Sequence, residues 1–200
     1  MVYQSADERK MLKMYIDLTT NVSQNSPLIQ WANSQDNPHV AMGHIGTHLD
    51  TYEKTDIPLE YFKSEGILFD VRGVPETTTD HVNMDMIRPR DFVLFRTGRI
   101  EEHAYGEPAY FENHPQLSHE LIAALTEKGI RFIGVDCPGI RQHSEHEEAD
   151  RLCEQRGIYI IENLKDLDKL HSRRFTVYTM WLEDEKMTGL RCRVIAEYLE

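Results

Sequence analysis

His44-Ile45-Gly46-Thr47-His48-Leu49-Asp50 puts two imidazoles and a carboxylate within seven residues, and its backbone conformation decides what kind of chain surrounds it. In a helix, His44 and His48 stand at i,i+4, the spacing of a zinc-binding pair. That arrangement calls for Glu at position 45 as the general base, and position 45 is Ile. Gly46 followed by the β-branched Thr47 is also poor helix chemistry. An extended or loop segment fits better. Alternate side chains of an extended segment share a face, so His44, His48 and Asp50 would point together, with Gly46 leaving an open floor between the rings. Such nitrogen and oxygen donors suit a borderline divalent cation, zinc or manganese. Two surface histidines beside a turn aspartate are the alternative.

Outward from this stretch, the composition is that of a globular protein. The 200 residues fit a single domain, 1–200, with 40% hydrophobic and 28% charged residues. The net charge of −12 gives nucleic acid or an anionic membrane no attractive field. No apolar run approaches the ~20 residues that span a bilayer. Residues 1–13 lack the apolar core of a signal peptide. Cys137, Cys153 and Cys192 form no C-x-x-C pair and read as reduced thiols, with Cys137 a small packed residue. The expected location is cytoplasmic.

The rest of the chain alternates strand and helix signals. Strands are expected over 14–19, 67–71, 91–96, 132–136 and 158–161, with 175–182 and 192–199 pairing across a polar turn. Ser118 is the expected N-cap of a helix stopped by Gly129, and 147–156 forms a second helix stopped by Gly157. Residues 21–37, rich in Asn, Ser and Gln, read as a loop, and 52–65 as irregular with one short helix after Pro58. The continuous apolar run Phe132-Ile133-Gly134-Val135 suits a sheet covered on both faces. The sum is a mixed α/β domain.

His44-x-Gly46-Thr47-His48-x-Asp50 resembles the signature of the metal-dependent cyclase family, which includes bacterial kynurenine formamidase and isatin hydrolase. Six further blocks resemble the family in order: Asp17-Leu18-Thr19, Asp91 to Gly98, His114-Pro115-x-Leu117-Ser118, Gly134 to Pro138, Ile161-Glu162-Asn163-Leu164 and Arg193 to Ala196. The resemblance implies a mixed, partly barrel-like β-sheet flanked by helices, assembled as a homo-oligomer, a dimer or tetramer. It also implies one or two divalent metals, zinc or manganese, with His44, His48 and Asp50 as first ligands. Asp50 would bridge to a second ion held by Glu162.

Two positions depart from the pattern. Where the signature carries Pro and then His after the aspartate, this chain has Tyr52 and Lys54. In the formamidases that histidine is the proposed proton-transfer residue, so Lys54 is the candidate for acid/base work or for binding an anionic substrate. Relatives also place a histidine twelve residues before the late glutamate, where this chain has Asp150, an oxygen ligand suited to manganese or magnesium. His143 and His146 lie near enough in sequence to substitute for that histidine, or remain surface residues. The expected activity is a metal-dependent hydrolase in which metal-activated water attacks a C–N amide bond (N-formyl, N-acyl or cyclic) of a small molecule. The alternatives are a metal-dependent cyclase or dehydratase without net hydrolysis, and a non-catalytic metal-binding homologue. Asp136 is expected to orient a ligand or form a turn. Arg96 and His81 are expected to be solvated or structural, or to meet a carboxylate substrate.

Overall fold

Ten strands and six helices run in a computed structural model that describes residues 12–199. They are β1 (Lys13–Asp17), α1 (Pro27–Asn33), α2 (Pro38–Gly43), β2 (His48–Asp50), β3 (Lys63–Asp70), β4 (Glu76–Thr77), β5 (Phe92–Arg96), α3 (Arg99–Glu102), α4 (Pro108–Phe111) and β6 (Gln116–Leu117). α5 (His119–Glu127), β7 (Phe132–Val135), α6 (Ser144–Glu154), β8 (Tyr159–Glu162), β9 (Arg174–Trp181) and β10 (Gly189–Leu199) follow.

The main sheet closes on itself. From β10 the order is β2, β8, β7, β5, β3 and β9, and β9 pairs back onto β10, giving a ring of seven strands. β1 adds to β10 beyond the short β2. β3, β5, β7 and β8 are parallel to one another, whereas β2, β9 and β10 join antiparallel.

Closure explains the apolar runs, because successive side chains of one strand enter two different cores. Phe92 and Leu94 of β5 face the barrel interior with Phe132, Tyr159, Ile161, Phe175, Val177 and Val194. Val93 and Phe95 face outward, with Ile133, Val135 and Ile160, against Leu121, Ile122 and Leu125 of α5 and Ala149 and Cys153 of α6. Each such aliphatic or aromatic side chain contributes about 1.5–3 kcal/mol by leaving water. At Gly134 the interior has no room for a side chain, since a Cβ there would lie 2.5 Å from the Phe92 ring and 2.7 Å from Leu164.

Three local expectations change. Residues 21–37 are not all loop: Ser26 caps α1 and Asn37 caps α2, each followed by proline at the first helical position. The polar composition hid two ordinary helix starts. β3 begins at Lys63, so the irregular segment ends earlier than its charged residues suggested, and its short helix is a 3-10 turn, Leu59–Phe62. The His44–Asp50 stretch is extended only from His48, because His44 lies at the C-terminal end of α2.

Candidate metal centre

A turn, rather than a straight strand, brings the two histidines together. Gly46 adopts φ +78°, and a Cβ on it would lie 2.8 Å from the Thr20 carbonyl oxygen. Its N–H donates to the Tyr105 hydroxyl at 2.7 Å. Thr47 locks the next residue by donating to the Asn163 carbonyl at 2.8 Å and accepting from the Thr20 N–H at 2.7 Å. The chain then enters β2, where His48 and Asp50 share a face. His48 is in register with Glu162 of β8, which adds a carboxylate on the same side. His146 and Asp150 arrive from α6, one turn apart.

The donors form two groups with ligand atoms all within 4.8 Å of one another: His44, His48 and Asp50, and then Asp50, His146, Asp150 and Glu162. Asp50 belongs to both. His44 Nδ1 lies 3.2 Å from His48 Nε2 and 3.1 Å from Asp50 Oδ1. His146 Nε2 lies 3.3 Å from Asp150 and 3.4 Å from Glu162. The outer nitrogens are occupied: His48 Nδ1 donates to the Gly46 carbonyl at 2.9 Å, and His44 Nε2 meets the Thr188 hydroxyl at 2.8 Å. The bond to Gly46 puts the His48 proton on Nδ1 and leaves the Nε2 lone pair facing the other donors.

Both oxygens of Asp50, both of Asp150 and Oε1 of Glu162 are buried with no hydrogen-bond partner among the described residues. Buried polar atoms are ordinarily satisfied, and several acids crowded in a dry space are strongly unfavourable unless a cation joins them. Burial raises the Glu162 carboxyl well above the usual range, and the Asp50 and Asp150 charges add to it. Burial likewise raises Asp150, reinforced by Asp50, Glu147 and Glu154. Burial pushes Asp50 upward too, but His48 and His44 outweigh it and hold that carboxyl low. Burial drives the His146 imidazole down, toward the neutral form a metal ligand needs.

His44, His48, Asp50, Asp150 and Glu162, all singled out in the sequence, therefore converge. His146 joins them and is not a free surface residue. Its signal was the i,i+4 spacing to Asp150 on a helix whose predicted start fell too late to include it. Lys54 does not join them. It is exposed, with φ +56°, and lines a separate cleft of about 150 Å³ with Asp56, Glu183, Asp184 and Glu185. Burial lowers its amine, while Glu154 and Asp184 oppose that shift. Sequence reasoning missed Tyr52 as a neighbour of the site; its ring stacks on His44, with centroids 6.1 Å apart. Asp136 forms a turn, accepting from the Thr97 N–H and hydroxyl and the Gly98 N–H at 2.5–2.9 Å. Arg96 pairs with Glu101, and His81 closes its own 3-10 turn.

Gly189 carries a prediction. A Cβ there would sit 2.8 Å from His44 Nδ1. Gly189→Ala should tilt that ring and weaken divalent-metal affinity about 10–100-fold, as loss of a ligand's support typically does. Competition against a chromophoric chelator reads the affinity, and an unchanged circular dichroism spectrum shows that the fold survives.

A seven-stranded barrel with two histidine–carboxylate donor groups, built from the end of α2, β2, α6 and the end of β8, defines a candidate metal centre. Comparison with known proteins gives the family. Residues 16–142 match the Cyclase family model, described as "Putative cyclase". The chain belongs to the Cyclase family. Kynurenine formamidase from Bacillus cereus is 30% identical over 133 residues, and the matched stretch covers 60% of this chain and 60% of that relative's own length. Kynurenine formamidase from Bacillus mycoides is 26% identical over 131 residues, with the same coverage. Among solved structures, isatin hydrolase A from Labrenzia aggregata superposes with a TM-score of 0.74 at 20% identity over 94% of both chains. A potential metal-dependent hydrolase with cyclase activity superposes at 0.73, with 22% identity, over 93% of this chain and 98% of its own. At those identities the structures establish the shared fold. Among the described residues, no helix is long and apolar enough to cross a membrane.

Proposed function

We propose that this protein is a metal-dependent hydrolase that cleaves a C–N amide bond, N-formyl, N-acyl or cyclic, of a small molecule. The observation that carries the reading is the set of buried, unpartnered carboxylate oxygens on Asp50, Asp150 and Glu162 facing the inner nitrogens of His44, His48 and His146. His44, His48 and Asp50 would hold one ion. Asp50, His146, Asp150 and Glu162 would hold a second, and their three carboxylates to one imidazole suit manganese. His146 thus takes over the nitrogen that relatives supply from position 150, one helical turn away. A divalent cation in such a site polarises a carbonyl and lowers the pKa of water.

The chain's own residues prepare that chemistry. The Gly46 carbonyl fixes the His48 tautomer with its proton on Nδ1, and the Thr188 hydroxyl holds the His44 ring in place. The walls of the site keep the carboxylates dry, which strengthens every charge interaction within it. The names of the relatives, kynurenine formamidase and isatin hydrolase, support an amide substrate.

The test is elemental analysis of protein purified without added metal, followed by a hydrolysis panel of the formamide of kynurenine, formanilides and isatin. About two ions per chain and turnover of at least one amide are expected. A metal-loaded protein inert toward the whole panel overturns the hydrolase reading.

A further inference from the structure

The loop 51–55, which follows the first donor group, hangs from one buried carboxylate. Glu154, near the end of α6, accepts from the Thr51 hydroxyl at 2.9 Å, the Glu53 N–H at 2.7 Å, the Thr55 N–H at 3.1 Å and the Thr55 hydroxyl at 3.0 Å. Within this clasp Lys54 takes its left-handed conformation and lines the cleft of Asp184. Tyr52 instead stacks on His44.

The Tyr52 ring stands 28° from the plane of His44, and the Arg151 guanidinium lies 5.3 Å from its centroid. Arg151 is itself tied to Glu53 at 2.8 Å, so the same loop that carries Tyr52 also fixes the cation beside it. The tyrosine is half-buried, and its hydroxyl has no hydrogen-bond partner among the described residues. The result is a phenol ring held between His44 of the first donor group and Arg151, with an O–H that has no bond of its own among the described residues.

We propose that Tyr52, rather than Lys54, meets the substrate at this centre, donating a hydrogen bond from its neutral phenol to the amide carbonyl oxygen as negative charge develops there. The proton stays on the phenol throughout, so the role requires no ionisation. Glu154 is the positioning residue that holds the loop. The inference rests on the amide-hydrolase reading above. A single donor aimed at a developing oxyanion is typically worth about 10²–10³ in kcat, and geometry limits that service to a side chain already held near the reacting atoms.

Tyr52→Phe removes the hydroxyl and keeps the ring, so the packing on His44 survives. The experiment compares wild type, Tyr52→Phe and Lys54→Ala as metal-loaded proteins. Its readouts are metal per chain, the dissociation constant of benzohydroxamate (whose adjacent oxygens imitate the adduct) and kcat and KM on whichever panel amide the wild type hydrolyses. For Tyr52→Phe the expected result is unchanged metal content, hydroxamate affinity about tenfold weaker, the worth of one good hydrogen bond, and kcat down about 10²-fold with KM little moved. Lys54→Ala is expected to lose less on every readout. The proposal is overturned if Tyr52→Phe matches wild type in both hydroxamate affinity and kcat, if its loss follows a loss of metal, or if Lys54→Ala is the more damaged. Should the wild type hydrolyse none of the amides, the hydrolase reading fails, while the hydroxamate affinities still decide whether Tyr52 is a donor at the centre.

Discussion

Adding manganese or zinc to chelator-stripped protein, at about a thousand times the dissociation constant, should raise Tm by about 8–16 °C. The figure combines ~4 kcal/mol of binding linkage at that excess with the ~2–4 °C that each kcal/mol moves a protein of this size. The physical source is the crowd of buried acids. Five carboxylate oxygens are buried without hydrogen-bond partners among the described residues, and a bound cation converts their mutual repulsion into attraction. Asp50 is the sharpest probe because it alone serves both donor groups. Asp50→Asn should abolish nearly the whole metal-dependent rise, whereas Glu162→Gln, which touches one group, should keep part of it. Scanning calorimetry with and without metal measures both. If Asp50→Asn retains the full wild-type rise, the two groups do not share Asp50 as a ligand.

Part of this centre was legible in the chain and part was not, for separable reasons. β5, β7 and β8 announced themselves because both faces of the sheet are covered, so they run apolar until β5 ends on Arg96 and β8 on Glu162. Ser118 and Gly129 marked α5 through capping chemistry, which is local. His44, His48 and Asp50 stood out through composition alone. The means of their convergence did not, because a short strand entered from a helix end through one positive-φ glycine leaves only a faint periodic trace. His146 was masked by the acidic run Glu145, Glu147 and Glu148, which reads as a solvated face until the helix is placed and the i,i+4 partner Asp150 is seen to be buried. Tyr52 and Lys54 could not be ranked from sequence at all. Which of them faces the site depends on Glu154, about a hundred residues away along the chain, and on a left-handed φ at a lysine, which no propensity favours.

Asp150→Asn should make the ion-free protein more stable at neutral and alkaline pH while removing a ligand from the second donor group. Burial, followed by Asp50, Glu147 and Glu154, raises the Asp150 carboxyl well above the value it has in the unfolded chain. Between those two values the folded protein keeps a proton that the unfolded chain has released. The stabilising contribution is therefore complete below the ordinary carboxylate range, near pH 4, and is lost as pH rises through the folded value, at up to about 1.4 kcal/mol per pH unit. Asparagine has no proton to lose, so the slope of stability against pH becomes shallower. It does not vanish, because Glu162 is raised in the same direction by burial, Asp50 and Asp150. Asp50, held low by its histidines, acts in the opposite sense and in a more acidic window. Urea melts in chelator at pH 5, 7 and 9 should show wild type and variant converging at the acid end and the variant ahead at the alkaline end. An equal or steeper decline in Asp150→Asn would mean that this carboxyl is not the strained group. With metal present the order should reverse, because the cation displaces the proton and binds more tightly as pH rises. The carboxyl that weakens the ion-free fold would then be the one that holds the proposed second ion, so that stability is given up at the place where the proposed chemistry calls for a dry, negatively charged pocket.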